Sequence, residues 1–259
     1  MATSKTEQGL DCNTYYTRYL WAYSSCGVSA PISLYSNTLP CNLPCSGIPT
    51  VSYGGTTYNT IQVGTQCWLK ENLNIGTVIN GTQEQTDNSS IEKYCYDDLA
   101  INCDTYGGLY QWNELMNYTG SSNTNPSMRQ GICPSGWHVP SDAEWCQMET
   151  FLDATVDCNS GGWLGTDAGG KMKETGTTHW ANPNTGATNI SGFTALPSGN
   201  RTDSGSYSNK DFYGYFWSAT ESYGTSAFAR ETGYDHPNVT RINWRGKSFS
   251  FSGRCIKDQ

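Results

Sequence analysis

The sequence predicts an α+β fold, loop-rich and braced by disulfides, and three observations carry that expectation. Charged residues make up only 15% of the chain, while aromatics reach 13% and glycines number 28, a balance that suits a strand-leaning extracellular protein better than a helical cytosolic one. Eleven cysteines lie at irregular spacings, as disulfide partners in an oxidising compartment do. Two amphipathic helical stretches precede a run of short strands, the order of an α+β domain rather than of repeated βαβ units. At 259 residues the chain has room for one large core with an appendage.

Residues 1–48 differ in character from the rest. The stretch DCNTYYTRYLWAYSSCGVSAPISLYSNTLPCNLPCSG holds four cysteines, three prolines and several tyrosines without a clean period, so a small Cys-rich arm or cap is expected rather than an independent core. Cys12, Cys26, Cys41 and Cys45 would supply four zinc ligands, but their spacing is not that of two short knuckles, and no metal is expected. A domain over 49–259 opens with VSYGGTTYNTIQVGTQCWLKENLN, where alternation around Gly54 and Gly55 predicts a hairpin with Ile61 and Val63 on one face. Within DTYGGLYQWNELMNY, Leu109, Trp112, Leu115 and Met116 recur at helical spacing and predict a first helix. The second has a start signal: Pro140 precedes Ser141, and Glu144 follows three positions on, the pair in which each side chain caps a free amide. Its apolar stripe is Trp145, Met148, Phe151 and Leu152. After Gly161 the chain is turn-rich, and short strands are predicted in GFTALP, GYFWSAT, AFARETGY, VTRINW and SFSFSGRCI, mostly antiparallel.

Charge and hydropathy exclude several function classes. A net charge of −8 with a pI near 4.8 opposes nucleic-acid binding, because neutralising phosphates needs a basic footprint. Anionic membrane surfaces are disfavoured for the same reason, and no apolar run approaches the ~20 residues of a spanning helix, so no membrane insertion is expected. The polar start MATSKTEQGL lacks the apolar core of a signal peptide, as expected where an export or anchoring segment has been removed.

Several stretches carry a family resemblance. YGGTTYNTIQVGTQCWLKENLNIGT, IEKYCYDD, NCDTYGGLYQWNELM, GICPSGWHVPSDAEW, GGKMKETGTTHW, TNISGFTALPSGNR, GYFWSATE and GRCIKD follow one another from about residue 52 to residue 258 and resemble the Fibrobacter succinogenes major paralogous domain, a branch of the C-type lectin-like fold. Residues 1–48 lie outside it. Members of the family resemble the variable proteins of diversity-generating retroelements, which rewrite a C-terminal segment by mutating template adenines. Randomising both adenines of an AAC or AAT codon never yields Trp, Gln, Met, Lys or Glu. Between Ser222 and Gly253 only Glu231, Trp244 and Lys247 belong to that excluded set. The resemblance therefore implies a variable C-terminal binding region over about 222–253, anchored by Trp217 and Ser218 before it and by Arg254 and Cys255 after it.

The composition of that region points the same way. Tyr, Trp and Phe give broad contact area at low rotamer cost, and Ser, Gly and Asn adapt their hydrogen bonds, the selection seen in antibody loops. Ser222, Tyr223, Thr225, Phe228, Ala229, Gly233, Asp235, His236, Asn238, Thr240, Ile242, Asn243, Trp244, Arg245, Ser248 and Phe249 are expected as exposed contact positions, with Trp244, Tyr223 and Arg245 as energetic anchors. Phe251 is expected to pack inward. The partner would be a protein or a glycan, with no cofactor and no catalysis.

Alternative chemistry has weaker support. A calcium-assisted lectin would pair Glu/Asn or Gln/Asp around a proline, and DHPN at Asp235–Asn238 is the nearest imitation. Asp97 and Asp98 read as turn acids rather than a cation loop. A formylglycine-generating type of oxidase would need an accessible low-pKa cysteine pair, whereas resemblance to the lectin-like core implies that Cys255 is bridged to Cys133. Cys95 with Cys103 would close a short loop, and Cys146 on the second helix would meet Cys158, although spacing alone does not fix connectivity. His138 and His179 read as structural hydrogen-bonding groups.

Overall fold

The computed structural model describes residues 7, 10, 14–38 and 42–258. Its first strands form a hairpin of their own. β1 (Tyr15–Leu20) pairs antiparallel with β4 (Ile32–Asn37), and between them β2 (Tyr23–Ser24) pairs with β3 (Gly27–Val28) around a turn holding Ser25 and Cys26. The backbone groups of Thr14 and Thr38 close its neck, the Thr38 amide donating to the Thr14 carbonyl at 2.9 Å.

The body begins beyond it. Residues 43–48 lie on the body rather than on the arm: the Gln62 amide donates to the Leu43 carbonyl, and Cys45 is bridged to Cys67. β5 (Thr50–Tyr53), β6 (Thr56–Val63) and β7 (Gln66–Leu69) realise the hairpin expected around Gly54 and Gly55, with a third strand added. Both glycines take positive φ, 57° and 80°, which is why that turn wants glycine. β8 (Thr77–Val78) and β9 (Glu92–Lys93) form a short parallel pair, and a 3-10 turn at Tyr96–Asp98 leads into α1 (Ala100–Tyr106).

The first predicted helix is corrected here. Gly107 and Gly108 end α1, and Leu109–Gln111 is β10, paired with Ser250–Ser252; only Trp112–Leu115 is helical, as α2. A pairing partner about 140 residues away overrides the local helical period, as tertiary context does. The second helix stands. After β11 (Trp137–His138), α3 (Asp142–Leu152) starts with the reciprocal cap: the Glu144 amide donates to Ser141 Oγ at 3.1 Å, and the Ser141 amide to Glu144 Oε2 at 2.9 Å. Trp145 and Met148 are sealed, but Phe151 leaves the stripe and is 59% exposed.

β12 (Gly162–Leu164), α4 (Ala168–Met172), β13 (Ser198–Arg201) and β14 (Tyr207–Lys210) precede the central strands. The strand expected in GFTALP is absent; Phe193 and Ala195 are buried there without a ladder. β15 (Tyr213–Tyr223), β16 (Ser226–Gly233), β17 (Val239–Gly246), β18 (Ser250–Ser252) and β19 (Ile256–Lys257) cover the other four predicted segments. They build an eight-stranded sheet, β10-β18-β13-β15-β16-β17-β12 with β14 beside β13, and a five-stranded sheet, β11-β19-β7-β6-β5. The body is thus α+β, mostly antiparallel sheet with short helices.

β15 is buried on both faces. Tyr215, Trp217 and Ala219 join one core cluster with Tyr110, Trp112, Leu115 and Phe251, while Phe216 points into a second with Trp68, Trp145, Met148 and Phe193. The indole N–H of Trp217 donates to the Tyr110 carbonyl at 2.9 Å and that of Trp112 to Ser218 O at 2.8 Å, so these buried rings keep their hydrogen bonds. Four disulfides join described residues: Cys45–Cys67, Cys95–Cys103, Cys133–Cys255 and Cys146–Cys158. The last three are the expected pairs. Cys12 and Cys41 lie outside the described residues, and Cys26 carries a free thiol. No helix among the described residues is long and apolar enough to cross a membrane.

Candidate binding face

The expected contact residues separate into two groups at opposite ends of one antiparallel sheet. β15 and β16 pair from Tyr213↔Gly233 at one end to Tyr223↔Ser226 at the other, which at ~3.3 Å per residue puts the ends about 30 Å apart. Tyr223, Thr225, Trp244, Arg245, Ser248 and Phe249 gather at the hairpin tip, whereas Asp235, His236 and Asn238 lie in the β16–β17 turn at the far end.

At the tip the backbone is fixed, Tyr223, Thr225, Trp244 and Ser248 are exposed, and Arg245 and Phe249 are half-buried, Phe249 against the first core cluster. Lys247 is the strut: its amide donates to the Thr225 carbonyl at 2.9 Å, and its ammonium reaches the Gly224 carbonyl at 3.0 Å, pairs with Glu221 and lies 4.3 Å from the Trp112 ring centre. Ser222 Oγ donates to the Asn243 carbonyl at 2.6 Å, and Gln111 Nε2 to Ser248 O at 3.0 Å. Register shifts at Trp217–Tyr223 in β15 and at Ile242–Arg245 in β17, opposite Ala227–Ala229 of β16, twist this end, as bulges do. Around that frame Tyr223 is 70% and Trp244 58% exposed. Arg245 lies over the Phe249 ring at 5.0 Å, and its Nε–H meets no acceptor.

Four of the expected contacts are corrected. Ala229 and Ile242 are paired with each other and with Trp217, and all three face the first core cluster. Gly233 is buried under the Tyr213 ring. Thr240, paired with Trp163 of β12, is 5% exposed and donates to Glu231. Strand alternation turns these side chains inward once β16 and β17 are central rather than edge strands. Phe228 is half-buried beneath Arg241, whose guanidinium lies 4.1 Å from its ring centre. Phe251 is fully buried, as expected, and so are the anchors Trp217, Ser218, Arg254 and Cys255.

The far end is held by a lysine that sequence reading did not single out. Lys173, fully buried, donates to the carbonyls of Thr185, Gly233 and His236 at 2.9, 2.7 and 3.0 Å. Burial lowers it to about 8, against the raising field of Asp235. Asn238 donates its amide to Gly165 O, and the His236 ring lies 4.2 Å from that of Trp163. Within DHPN the His236 carbonyl thus serves an ammonium group, and the Pro237 carbonyl accepts from the Gly170 amide. Among the described residues no three His, Cys, Asp or Glu side chains gather as a metal site. Asp98 takes donors from Gly81, Asn80 and Tyr207, the structural role expected of it. The oxidase alternative loses its cysteine, since Cys255 is bridged.

A family model, the Fibrobacter succinogenes major domain, matches residues 61–257. The chain belongs to that family. No curated protein and no solved structure matches it. The match begins inside β6 and ends at β19, so the family domain takes in the tip, the far end and both core clusters, and leaves out the arm.

Two ionic clusters centred on buried Arg230 and buried His138 join separate elements of the body. Arg230, with no exposed surface, donates to Glu149 Oε1 at 2.5 Å and Asp142 Oδ1 at 2.6 Å, and Arg241 reaches Asp142 Oδ2 at 2.6 Å. Burial works to raise Asp142, but Arg241 and Arg230 hold it below the ordinary carboxylate range, whereas burial prevails at Glu149 and raises it. His138 lies between Glu144 at 2.7 Å and Asp258 at 2.6 Å. Burial alone would lower His138; the two carboxylates outweigh it and the imidazole is raised. His138 thus makes the hydrogen bonds expected of it.

Proposed function

We propose that the protein is a recognition protein rather than an enzyme, displaying a sequence-variable surface on a C-type lectin-like scaffold outside the cell, at a cell or virion surface, as the variable proteins of diversity-generating retroelements do. The ligand, a protein or a glycan, is met by Tyr223, Thr225, Trp244, Arg245, Ser248 and Phe249. One observation carries the reading: at the tip the side chains project while Lys247, Trp112 and Gln111 pin the backbone. Exposed aromatic and Arg side chains on a fixed frame are the groups that dominate interface energetics. Of the three residues that adenine mutagenesis of AAC or AAT codons would not deliver, Lys247 and Glu231 are a strut and a half-buried partner of Thr240, and only Trp244 is more than half exposed. Four disulfides among the described residues suit an oxidising compartment.

The DNA beside the coding sequence tests it. The expected result is a near-copy of the tip-coding region that differs only at adenines, with the differences in codons for exposed Tyr223, Thr225, Trp244 and Ser248 and half-buried Arg245 and Phe249, and not in those for Ala227, Ala229, Arg230 or Ile242. No such copy, or differences concentrated in the buried codons, overturns the reading.

A further inference from the structure

The arm of residues 14–38 gathers many of the exposed large apolar side chains among the described residues, and the family domain does not include it. Directly opposed residues of a strand pair share a face, so the β1–β4 register places Tyr15, Tyr19 and Tyr35 together. Tyr15 and Tyr35 stack at 5.9 Å, and Trp21 joins Tyr19 at 6.1 Å. These four rings are 61, 53, 62 and 55% exposed for Tyr15, Tyr19, Tyr35 and Trp21. Leu20, Ile32 and Leu34 are exposed on the other face. A lone two-stranded hairpin is marginal in water, and this one carries a single charged side chain, Arg18, along its strands. Natural edge strands are normally blunted by charges.

An odd total of eleven cysteines cannot close within one chain, and Cys26, with its free thiol, lies at the arm's exposed turn. A leftover cysteine in a disulfide-bonded chain calls for an intermolecular partner. When the partner is a second copy, equivalent residues meet on the two-fold axis. An axis running along the arm lays the aromatic face of one hairpin on the same face of the other and brings both tips together. Each aromatic ring can bury ~150–250 Å², so the exposed rings of the arm, with Tyr23 at 86% exposure, come close to the ~800 Å² per partner of a standard interface. The near absence of charge on the strands leaves no like-charge contact between the two arm faces themselves.

We propose that the arm is a dimerisation device, in which two copies of this chain pack the Tyr15, Tyr19, Trp21 and Tyr35 faces together and are locked by a disulfide between their Cys26 residues. The lock forms by exchange: one Cys26 thiolate attacks a small-molecule disulfide and releases a thiol, then the second Cys26 thiolate attacks the mixed disulfide and releases another. Two protein thiols are oxidised and one disulfide is reduced to two thiols. The inference rests on the arm alone and is independent of what the tip binds.

The test uses the full chain, incubated with oxidised glutathione and followed by light scattering and non-reducing gels. The expected result is a species of twice the 28.4 kDa chain mass, with peptide mapping that finds the cross-link at Cys26. Cys26→Ser should abolish the covalent species yet keep a reversible dimer. Adding Tyr19→Ser and Tyr35→Ser should weaken that dimer at least 100-fold with the circular dichroism of the body unchanged. Overturning results are a monomer at all concentrations with Cys26 capped by glutathione, a cross-linked species with no reversible dimer beneath it, or a dimer indifferent to the tyrosine changes.

Discussion

Tyr15, Tyr19 and Trp21 in the arm and Tyr215, Phe216 and Trp217 in β15 are stretches of like composition, yet the first three are more than half exposed and the last three are sealed. β15 has strands on both edges and a core cluster against each face, whereas β1 has one neighbour and no second layer. Aromatic content alone therefore does not make a core. A sheet buries its rings only when another layer covers them, and among the described residues the arm lacks that layer.

The contrast can be broken most sharply in the body. Arg230→Met would leave the buried Glu149 and Asp142 carboxylates without their shared partner, and a loss of about 3–5 kcal/mol is expected in urea unfolding. Replacing Cys133 and Cys255 with serine opens a loop of 122 residues and should cost about 2–5 kcal/mol, while Cys26→Ser should leave body stability unchanged.

His138 sharpens the contrast through pH. Its folded value is raised above the ordinary ~6.5, so its contribution is complete below that value and is lost as pH rises through the raised one. Unfolding midpoints taken across that range should fall with pH in the wild type and less so in His138→Asn. Excising residues 15–37, whose flanks Thr14 and Thr38 already touch, should move the thermal midpoint by no more than ~2 °C. Smallest of all, Trp244→Ala should stay within about 0.5 kcal/mol of the wild type.

Local signals were legible where the chemistry is local. The Ser141–Glu144 cap, the Gly54–Gly55 hairpin and the short Cys95–Cys103 loop need only neighbouring residues. Leu109–Gln111 misread as helix because its partner strand lies at 250–252, and Cys45–Cys67 carried no spacing signal. The candidate face was half legible. Composition pointed to the right segment, but a bulge in β17 and that strand's placement between β16 and β12 decide which side chains face out, and neither is written in residue type. Lys173 gave no signal either, since its three acceptors are backbone carbonyls from two distant segments.

β19 follows the tip along the chain yet lies between β11 and β7, in the interior of the five-stranded sheet. On the ribosome, then, that sheet lacks an inner strand until residue 257 has emerged. The tip is therefore synthesised before the polypeptide can finish folding, and the smaller sheet closes only after the tip's backbone is in place.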